Sequence, residues 1–373
     1  MGVQYIWQNK HWTDFSWQSD ALLPLLGKAR QTQGKILTRV RSLGLALTHE
    51  AQAEVLTEEA VKTSAIEGEV LNRDSVRSSV ARHLGLPQAG LPRAERPIDG
   101  LVEILLDATK NYAKPLTGKR LKGWQAALFP TGYSGLHKIR AGKWRGTDVQ
   151  VVSGPVGREM VHFQAPPGDK VDQEIANFLA WWKKSPGNTE GFFRAAIAHF
   201  WFVTIHPFED GNGRIARALT DMALAQDEKL PVRFYSLSSQ IMEERNAYYA
   251  VLEKCSKSKG GSDITVWLEW FLGCLIRAME RSETIIAKVL AKVEFWQRHS
   301  QTAMNKRQRK VVNRLLGAGV GQFQGGLTTR KYVSLTKTSR ATAFREISDL
   351  VEKKVLVQNL KSKGRNVSYD LGQ

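Results

Sequence analysis

The sequence predicts a mainly α-helical protein with one β-hairpin in its middle and a small α+β region at its carboxyl end. Residues 36–84 carry apolar side chains at helical spacing with no interrupting proline. Residues 190–205 are apolar on nearly all sides, which is typical of a buried central helix. Signals for β-strands are confined to residues 142–167 and 355–371. Together these observations predict a mainly α fold.

The chain is long enough for more than one domain, and it is strongly basic. Its 373 residues allow one large domain and one or two small ones, and its hydrophobic share of 42% suits a globular protein. The 54 Lys and Arg residues against 36 Asp and Glu give a formal net charge of +18. Such a chain usually meets polyanions, although the excess charge can also serve solubility alone.

Cysteine content and apolar runs indicate a protein of a reducing compartment. Cys255 and Cys274 lie far apart and lack the spacing of a metal knuckle, so we expect reduced thiols. The longest apolar run, residues 195–205, is too short to span a bilayer. The first ten residues lack the pattern of a secretory signal. We therefore expect a cytoplasmic protein that does not contact a membrane.

The N-terminal region, residues 1–98, is predicted to be helical. Three tryptophans in its first 17 residues indicate an extended lead-in that is followed by a helix docked on the main body. Helical spacing then fills residues 36–84. The Pro- and Gly-containing stretch from Gly85 to Pro97 is expected to form a loop that ends the region.

The central region, residues 99–300, is predicted to be helical apart from one hairpin. Valines and Ser153-Gly154-Pro155, followed by Met160–Phe163, predict two short strands and a turn within residues 142–167. The predicted helices cover residues 99–112, 170–183, 190–205, 214–225, 238–257 and 263–296.

The C-terminal region, residues 301–373, has the order of elements of a winged helix. Predicted helices at Lys306–Leu316, Thr328–Val333 and Thr338–Lys353 precede two strands that flank the basic turn Lys361–Arg365. From residue 305 onward this region holds 15 Lys and Arg against 4 Asp and Glu. It therefore carries most of the positive charge of the chain.

A winged helix binds either DNA or protein, and the sequence leaves both readings open. In the DNA reading, residues 338–353 are the recognition helix and residues 361–365 the wing. Ser339, Arg340 and Thr342 are then the candidates for base contacts, while the lysines would meet phosphates. In the protein reading, the same face is a solvated basic surface.

The stretch from His206 to Arg217 contains groups suited to a nucleotide phosphate. Gly211, Asn212 and Gly213 stand where a loop turns into a helix, so their backbone amides can face an anion at a helix N-terminus. Arg214 and Arg217 are three residues apart on one helix face, and guanidinium groups suit phosphate oxygens. The pattern predicts a phosphate cradle, although no Walker lysine follows.

Two further residues of this stretch complete the chemistry. Asp210 offers the hard oxygen that Mg²⁺ prefers, and His206 can take a proton from an attacking hydroxyl. A lone histidine, a Gly-Asn-Gly turn or a pair of arginines is usually structural. Their coincidence after a buried helix favours phosphoryl-type transfer, which depends on positioning and charge stabilisation.

The stretch resembles the signature of the Fic family, His-x-Phe-x-Asp/Glu-Gly-Asn-Gly-Arg-x-x-Arg, at every fixed position. The resemblance extends over about residues 100–275. It implies a helical core and transfer of AMP from ATP, with Mg²⁺, to a Ser, Thr or Tyr hydroxyl of a target protein and of the enzyme itself. It also implies that the hairpin, at residues 149–164, is a flap that holds the target protein by strand addition.

By position, the resemblance implies a role for each motif residue. His206 is the general base, Asp210 is the Mg²⁺ ligand, and residues 211–213 form the anion hole for the α- and β-phosphates. Arg214 contacts the β-phosphate and Arg217 the γ-phosphate. Tyr248 and Tyr249, about one helix further on, are the residues that we expect at the adenine ring, although core packing explains two such aromatic residues equally well.

Glycine at position 213 separates this chain from the kinase-like Doc branch of the family. In that branch a lysine takes the corresponding position and the nucleotide binds in reverse, so Gly213 favours AMP transfer. The motif alone leaves transfer of phosphocholine, or of another phosphate-containing group, open.

A second motif, Thr63-Ser64-Ala65-Ile66-Glu67-Gly68, resembles the inhibitory helix of the same family. Taken alone it is a weak pattern, compatible with a solvated helix end capped by Gly68. The resemblance implies that Glu67 pairs with Arg217 and keeps it from the γ-phosphate. Related chains usually have Asn after the glycine, whereas Glu69 stands here.

Three functions therefore compete. The first is an AMP-transferase that Glu67 restrains. The second is an enzyme that mainly removes AMP, since in some relatives the same glutamate positions a water. The third is a DNA-binding regulator whose Fic domain senses nucleotide. A homodimer is an expectation from related restrained enzymes.

Overall fold

The structure, a computed structural model, describes residues 4–41, 45–86, 91–153, 160–257, 261–318, 323–359 and 367–372. It is mainly helical, which confirms the predicted fold class. The helices are α1 Ser19–Arg41, α2 Leu45–Ile66, α3 Arg73–Leu84, α4 Arg96–Lys110, α5 Gly118–Leu128, α6 Val171–Lys184, α7 Gly191–Ile205, α8 Asn212–Glu228, α9 Leu237–Glu243, α10 Arg245–Ser256, α11 Thr265–Arg298, α12 Lys306–Ala318, α13 Thr329–Thr336 and α14 Arg340–Glu352. The strands are β1 Tyr133–Ser134, β2 His137–Lys138, β3 Gln150–Ser153, β4 Met160–Gln164, β5 Leu356–Gln358 and β6 Tyr369–Leu371.

The strands form three separate antiparallel pairs, β1–β2, β3–β4 and β5–β6. By compactness the chain forms two units. The first comprises Met1–Leu43 and Gln52–Ser282, and the second comprises Gly44–Ala51 and Glu283–Gln373. The division into regions 1–98, 99–300 and 301–373 stays a prediction. No helix within the described ranges is long and apolar enough to cross a membrane.

Helix α7 is the centre of the first unit, as its apolar sequence predicts. Nearly all of its residues are buried, and it packs against α8. Trp267 donates its indole N–H to the carbonyl of Ala196 at 2.9 Å. Trp12 from the lead-in lies edge-on to Trp201, with ring centroids 5.9 Å apart. The lead-in is therefore part of the core that supports α7.

The hairpin of the central region is β3–β4. Gln150 lies opposite Gln164 and Val151 opposite Phe163, with a bulge after Val151. The predicted turn at residues 154–155 lies outside the described residues. Below the hairpin, the ring of Tyr5 packs edge-on against Phe163 at 5.4 Å.

The structure departs from the predicted elements at several places, and the predicted helix 238–257 is divided at Glu244 into α9 and α10. The continuous helical stretch 36–84 is divided, because Gly68 takes a left-handed conformation (φ 88°) that ends α2. Helix α5 and the two-residue strands of β1–β2 were not predicted. Strands this short contain too few residues for alternation to show in a sequence.

The second unit packs α12, α13, α14, the end of α11 and the strand pair β5–β6 around one small core. Its buried residues include Val311, Leu315, Leu327, Tyr332, Ile347, Leu350 and Leu356. Leu356 lies opposite Leu371 in the β5–β6 pair, and Leu327 adds an antiparallel bridge to Tyr369. The predicted wing, residues 361–365, lies outside the described residues.

Candidate active site

The loop between α7 and α8 is shaped by two left-handed residues. His206 caps the end of α7 at φ 50°, and Gly211 precedes α8 at φ 89°. A Cβ atom on Gly211 would lie 3.0 Å from side-chain carbons of both Leu128 and Phe129. Glycine is needed at 211 both for its backbone angle and for the room it leaves.

Asn212 holds this loop closed with its side chain. Its Oδ1 accepts from the amide of Phe208 at 2.9 Å, and its Nδ2 donates to the carbonyl of Phe208 at 2.8 Å. Any contribution of Asn212 to an anion hole therefore comes from its backbone amide. The first amides of α8 have no partner within the helix, so they can serve an anion.

His206 lies at the start of the loop in a state suited to a base. Burial lowers the pKa of His206 to about 4, against raising contributions from the Val203 carbonyl, Glu67 and Asp210. The ring is therefore neutral at physiological pH. Its Nδ1 is 3.4 Å from the carbonyl of Val203, which can only accept, so this nitrogen carries the proton. The lone pair is left on Nε2.

Asp210 presents its carboxylate beside the N-terminus of α8, with the side chain 41% exposed. The Ser134 hydroxyl donates to one oxygen, and the Gly211 amide donates to the other. Across the described residues, no group of three or more His, Cys, Asp and Glu side chains could hold a metal by itself. A single hard carboxylate fits Mg²⁺ that is completed by phosphate oxygens and water.

Arg217 is buried and tied to the end of α2. Its Nε donates to the Thr63 hydroxyl at 2.6 Å, and its Nη2 donates to the Thr63 carbonyl at 2.9 Å and to Glu67 Oε1 at 2.6 Å. The side chain is only 2% exposed. The structure thus brings together the two predicted motifs, and Thr63 supplies two of the three contacts.

Glu67 also lies directly against the first turn of α8. A Cβ atom on Gly213 would be 2.1 Å from Glu67 Oε1. The carboxylate therefore lies where an anion bound to the amides of α8 would lie. Glycine at 213 has a packing reason in this chain, because any side chain there would displace Glu67.

Arg214 extends from the next position and meets two carboxylates. Its Nη1 is 3.1 Å from Glu69, and its Nη2 is 3.8 Å from Asp210. The guanidinium lies 5.0 Å from the centre of the Phe129 ring. Within the described residues, Nε of Arg214 and Nη1 of Arg217 are buried donors that meet no acceptor. Unmatched donors of this kind suit the oxygens of an anionic ligand.

The two tyrosines that were expected at the adenine ring have different positions. Tyr248 is 2% exposed, and its hydroxyl lies 2.8 Å from Nε2 of His199 in the core. Its ring is therefore enclosed by protein, which corrects its assignment to the adenine site. Tyr249 is 37% exposed, and its hydroxyl donates to the Ile66 carbonyl at 3.3 Å. For Tyr249 the adenine contact stays a prediction.

Arg145 is a residue of this site that the sequence reasoning missed. It is 2% exposed, and its Nε donates to the His206 carbonyl at 2.7 Å. Its Nη groups donate to the carbonyls of Thr147 at 2.8 Å, Pro166 at 2.6 Å and Ile205 at 3.2 Å. A lone arginine before a hairpin carries no motif, so no pattern could have identified it.

Two family patterns match this chain. Residues 115–224 match the Fic/DOC family, and residues 5–86 match a domain of unknown function, DUF4172. A probable protein adenylyltransferase of Aquifex aeolicus is 29% identical over 136 residues, which are 34% of this chain and 42% of the relative. Protein adenylyltransferase Fic of Nematostella vectensis is 29% identical over 147 residues, 39% of this chain and 30% of the relative. The chain spans less than half the length of these curated relatives.

A solved structure extends the likeness to the fold of most of the chain. The crystal structure of a Fic family protein from Desulfovibrio desulfuricans G20 matches with a TM-score of 0.52 at 19% identity, covering 94% of this chain and 95% of that chain. At this identity the likeness shows the shared fold.

Proposed function

Because residues 115–224 are a Fic/DOC-family domain, we propose that this protein is an adenylyltransferase that moves AMP from ATP to a hydroxyl of a target protein and of itself. The observation that carries the proposal is the assembly at the N-terminus of α8. There a neutral His206, the Asp210 carboxylate and two arginines surround the first backbone amides of α8. Relatives named protein adenylyltransferases support it.

The proposed reaction starts at the target hydroxyl. Nε2 of His206 takes the proton while the hydroxyl oxygen attacks the α-phosphorus of ATP. A bond forms between these two atoms, the bond from the α-phosphorus to the bridging oxygen breaks, and pyrophosphate leaves. The amides of α8, with Arg214 and Arg217, stabilise the charge on the phosphate oxygens. Asp210 would hold Mg²⁺, and this ion would neutralise phosphate charge when bound.

The same geometry supports restraint by Glu67. Its carboxylate binds Arg217, the proposed γ-phosphate contact, and covers Gly213 in the anion hole. A triphosphate cannot reach its productive position while both are occupied. A displacement of about 1 Å at the α-phosphorus costs on the order of a hundredfold in rate.

The hairpin β3–β4 is the proposed docking strand for the target protein. Val161 on β4 is 39% exposed, which supports a surface that can take an added segment. The proposed target is a protein segment in extended conformation that presents a hydroxyl.

The experiment that tests this proposal is transfer of α-labelled ATP to the protein itself in the presence of Mg²⁺. It compares the wild type, Glu67→Gly and Glu67→Gly/His206→Ala. Weak labelling of the wild type, strong labelling of Glu67→Gly and none of the double variant are expected. If Glu67→Gly binds ATP and stays unlabelled, the adenylyltransferase proposal is wrong.

AMP removal is a second candidate that the position of Glu67 favours. Its side chain is 33% exposed and lies against Gly213, where it could orient a water towards an AMP bound at the cradle. Protein that is first labelled in the Glu67→Gly form should then lose label when wild-type protein is added. If the label is lost equally when Glu67→Gly is the added protein, Glu67 has no role in AMP removal.

The second unit is proposed to be a DNA-binding winged helix. The bridge from Leu327 to Tyr369 and the β5–β6 pair lie beside three helices, the arrangement that this motif requires. Ser339 caps α14 by accepting from the amide of Thr342 and also binds the Thr342 hydroxyl, so both residues are engaged in the cap. The exposed residues of α14 are Arg340, Ala341, Phe344, Arg345, Ser348 and Glu352, and of these Arg340 and Arg345 are the cations left for DNA contacts.

A further inference from the structure

Arg145 makes hydrogen bonds to three separate parts of the first unit. It binds the carbonyls of Ile205 and His206 at the end of α7. It also binds the Thr147 carbonyl before β3 and the Pro166 carbonyl after β4. One buried side chain therefore joins both legs of the hairpin to the turn that carries the proposed base.

The chemistry of Arg145 suits this task. In the described part of the chain, its side-chain hydrogen bonds all go to main-chain carbonyls, two of them at the C-terminal end of α7. A cation is stabilised at a helix C-terminus, where carbonyls lack partners. The rigid guanidinium fork can serve several carbonyls in fixed directions, which the ammonium group of a lysine cannot do.

We propose that Arg145 is a positioning residue that fixes the flap relative to His206 and thereby delivers the target hydroxyl to the base. This inference rests on the proposed adenylyltransferase function. It assigns to Arg145 an effect on the transfer step and none on nucleotide binding, because its side-chain hydrogen bonds among the described residues go to positions 147, 166, 205 and 206, outside residues 211–217.

The test introduces Arg145→Lys and Arg145→Met into the Glu67→Gly variant. At saturating ATP, the labelling rate should fall about tenfold to a hundredfold, more for Met than for Lys, while KM for ATP changes less than about twofold. Arg120→Lys is the matched control, because Arg120 also binds backbone carbonyls, those of Asp107, Asn111 and Lys114, away from the flap. It should leave both parameters unchanged.

Amide hydrogen exchange gives a readout that needs no transfer activity. In Arg145→Lys, peptides from residues 203–209 and 160–168 should exchange faster together, while residues 214–224 keep their protection. If exchange rises throughout the first unit, or if KM for ATP rises as the rate falls, Arg145 stabilises the fold in general and does not position the flap. If Glu67→Gly stays unlabelled but the exchange pattern is as expected, the adenylyltransferase proposal is wrong, while the link that Arg145 makes between the hairpin and the His206 turn is supported.

A second inference comes from the other side of the site, where two carboxylates meet two arginines. Glu67 and Glu69 flank Gly68, whose left-handed backbone turns the chain at the end of α2. Glu67 binds Arg217 at 2.6 Å, and Glu69 binds Arg214 at 3.1 Å. The amide of Glu69 donates to the carbonyl of Ser64 at 3.0 Å, which fixes its backbone on the helix end.

The two pairs differ in their access to solvent. Arg217 and Glu67 have side chains 2% and 33% exposed, whereas Arg214 and Glu69 are 10% and 46% exposed. Pairs near the surface are weaker and are screened by salt, while buried pairs are screened much less. The Glu69 contact should therefore be the weaker and more salt-sensitive of the two.

The geometry points to Glu69 as a second inhibitory carboxylate, which competes with the nucleotide β-phosphate for Arg214. It deepens the proposed function by naming a regulatory residue of the same site. Glu67 would then act against the γ-phosphate and Glu69 against the β-phosphate. Nucleotides that differ in phosphate number can separate these two effects.

The test measures affinity for ATP, ADP and AMP by calorimetry, with Mg²⁺, in the His206→Ala background so that no transfer occurs. Glu69→Gln should tighten ATP and ADP by a similar factor, about twofold to fivefold at low salt, and leave AMP unchanged. The gain should shrink at 0.5 M salt, where the Debye length is only a few ångströms. Glu67→Gly should tighten ATP more than ADP.

Glu103→Gln is the matched control, a comparably exposed carboxylate on α4 that lies 3.9 Å from His83. It should change no affinity. If Glu69→Gln leaves ADP affinity unchanged, Glu69 has no inhibitory role; if it weakens ADP binding, Glu69 orients Arg214 instead. These outcomes do not depend on whether AMP is transferred.

Discussion

The loop between α7 and α8 and the basic second unit both present positive charge, but they hold it in opposite ways. Arg217 is 2% exposed, and Thr63 and Glu67 fix its guanidinium in one orientation. Arg340 and Arg345 on α14 are exposed to solvent. A fixed, buried cation can recognise one phosphate geometry, whereas exposed cations attract any polyanion and do so less at high salt. Charge becomes chemically specific where packing has removed its freedom.

The largest effect is expected where the loop holds its base. In the Glu67→Gly variant, His206→Ala should lower the labelling rate by about a hundredfold to ten-thousandfold, because it removes the proposed general base for the target hydroxyl. ATP affinity should stay within about threefold. His11→Ala is the control, a histidine whose side chain is 72% exposed. If His11→Ala lowers the labelling rate as much as His206→Ala does, the loss of activity is not specific to the buried histidine of the loop.

The next effect tests how closely Glu67 lies on α8. Gly213→Ala should destabilise the wild type more than the Glu67→Gly variant, with a difference of about 0.5–1 kcal/mol, because its Cβ would be 2.1 Å from Glu67 Oε1 and the carboxylate would have to move from Arg217. Unfolding by urea in all four variants measures this coupling. Gly123→Ala in α5 meets no atom within 4 Å and should show none. If the effects of Gly213→Ala and Glu67→Gly on the free energy of unfolding are additive, Glu67 does not pack against the first turn of α8.

A smaller effect is expected for the exposed cations of the second unit. In the full chain, Arg340→Ala/Arg345→Ala should weaken DNA binding and reduce the slope of log affinity against log salt by about two. Fluorescence anisotropy of a labelled duplex at several salt concentrations measures the slope. Removal of two cations from the first unit, Lys110→Ala/Lys114→Ala, should leave the slope unchanged. The same slope in both double variants would exclude α14 from DNA contact.

The smallest effect concerns pH. Burial lowers the pKa of His206 from its ordinary value of 6.5 to about 4. The imidazole therefore stays neutral well below pH 6.5. In Glu67→Gly the raising contribution of the Glu67 carboxylate to this pKa is absent. At saturating ATP and Mg²⁺, labelling by this variant should therefore change less than about twofold between pH 7.5 and 5.5. A fall with a midpoint near pH 6.5 would place His206 in solvent.

The sequence predicted the fold class well because α7 is apolar on nearly all sides and β3–β4 carries enough residues to show its strands. It did not predict β1–β2, whose strands have two residues each. It also joined α2 to α3, although a left-handed Gly68 and the Asn72 cap separate them. Backbone angles at single residues decide such boundaries, and these leave little trace in periodicity.

Tyr248 shows a similar limit within the candidate site. Its place after the motif helix allowed an adenine contact, but its hydroxyl lies 2.8 Å from His199 in the core. A residue's distance along the chain from a motif does not state which side of a helix faces the site. The core partner, His199, is 49 residues away.

The sequence by itself determined the local chemistry of this protein. The spacing of Arg214 and Arg217, the glycines before α8 and His206 at the end of α7 act through helix geometry and backbone angles, which neighbouring residues set. Only the tertiary structure decided which distant groups meet them. Glu67 reaches Arg217 across 150 positions, and Arg145 reaches the His206 carbonyl across 61. Such contacts depend on how whole segments pack, and no local pattern encodes that packing.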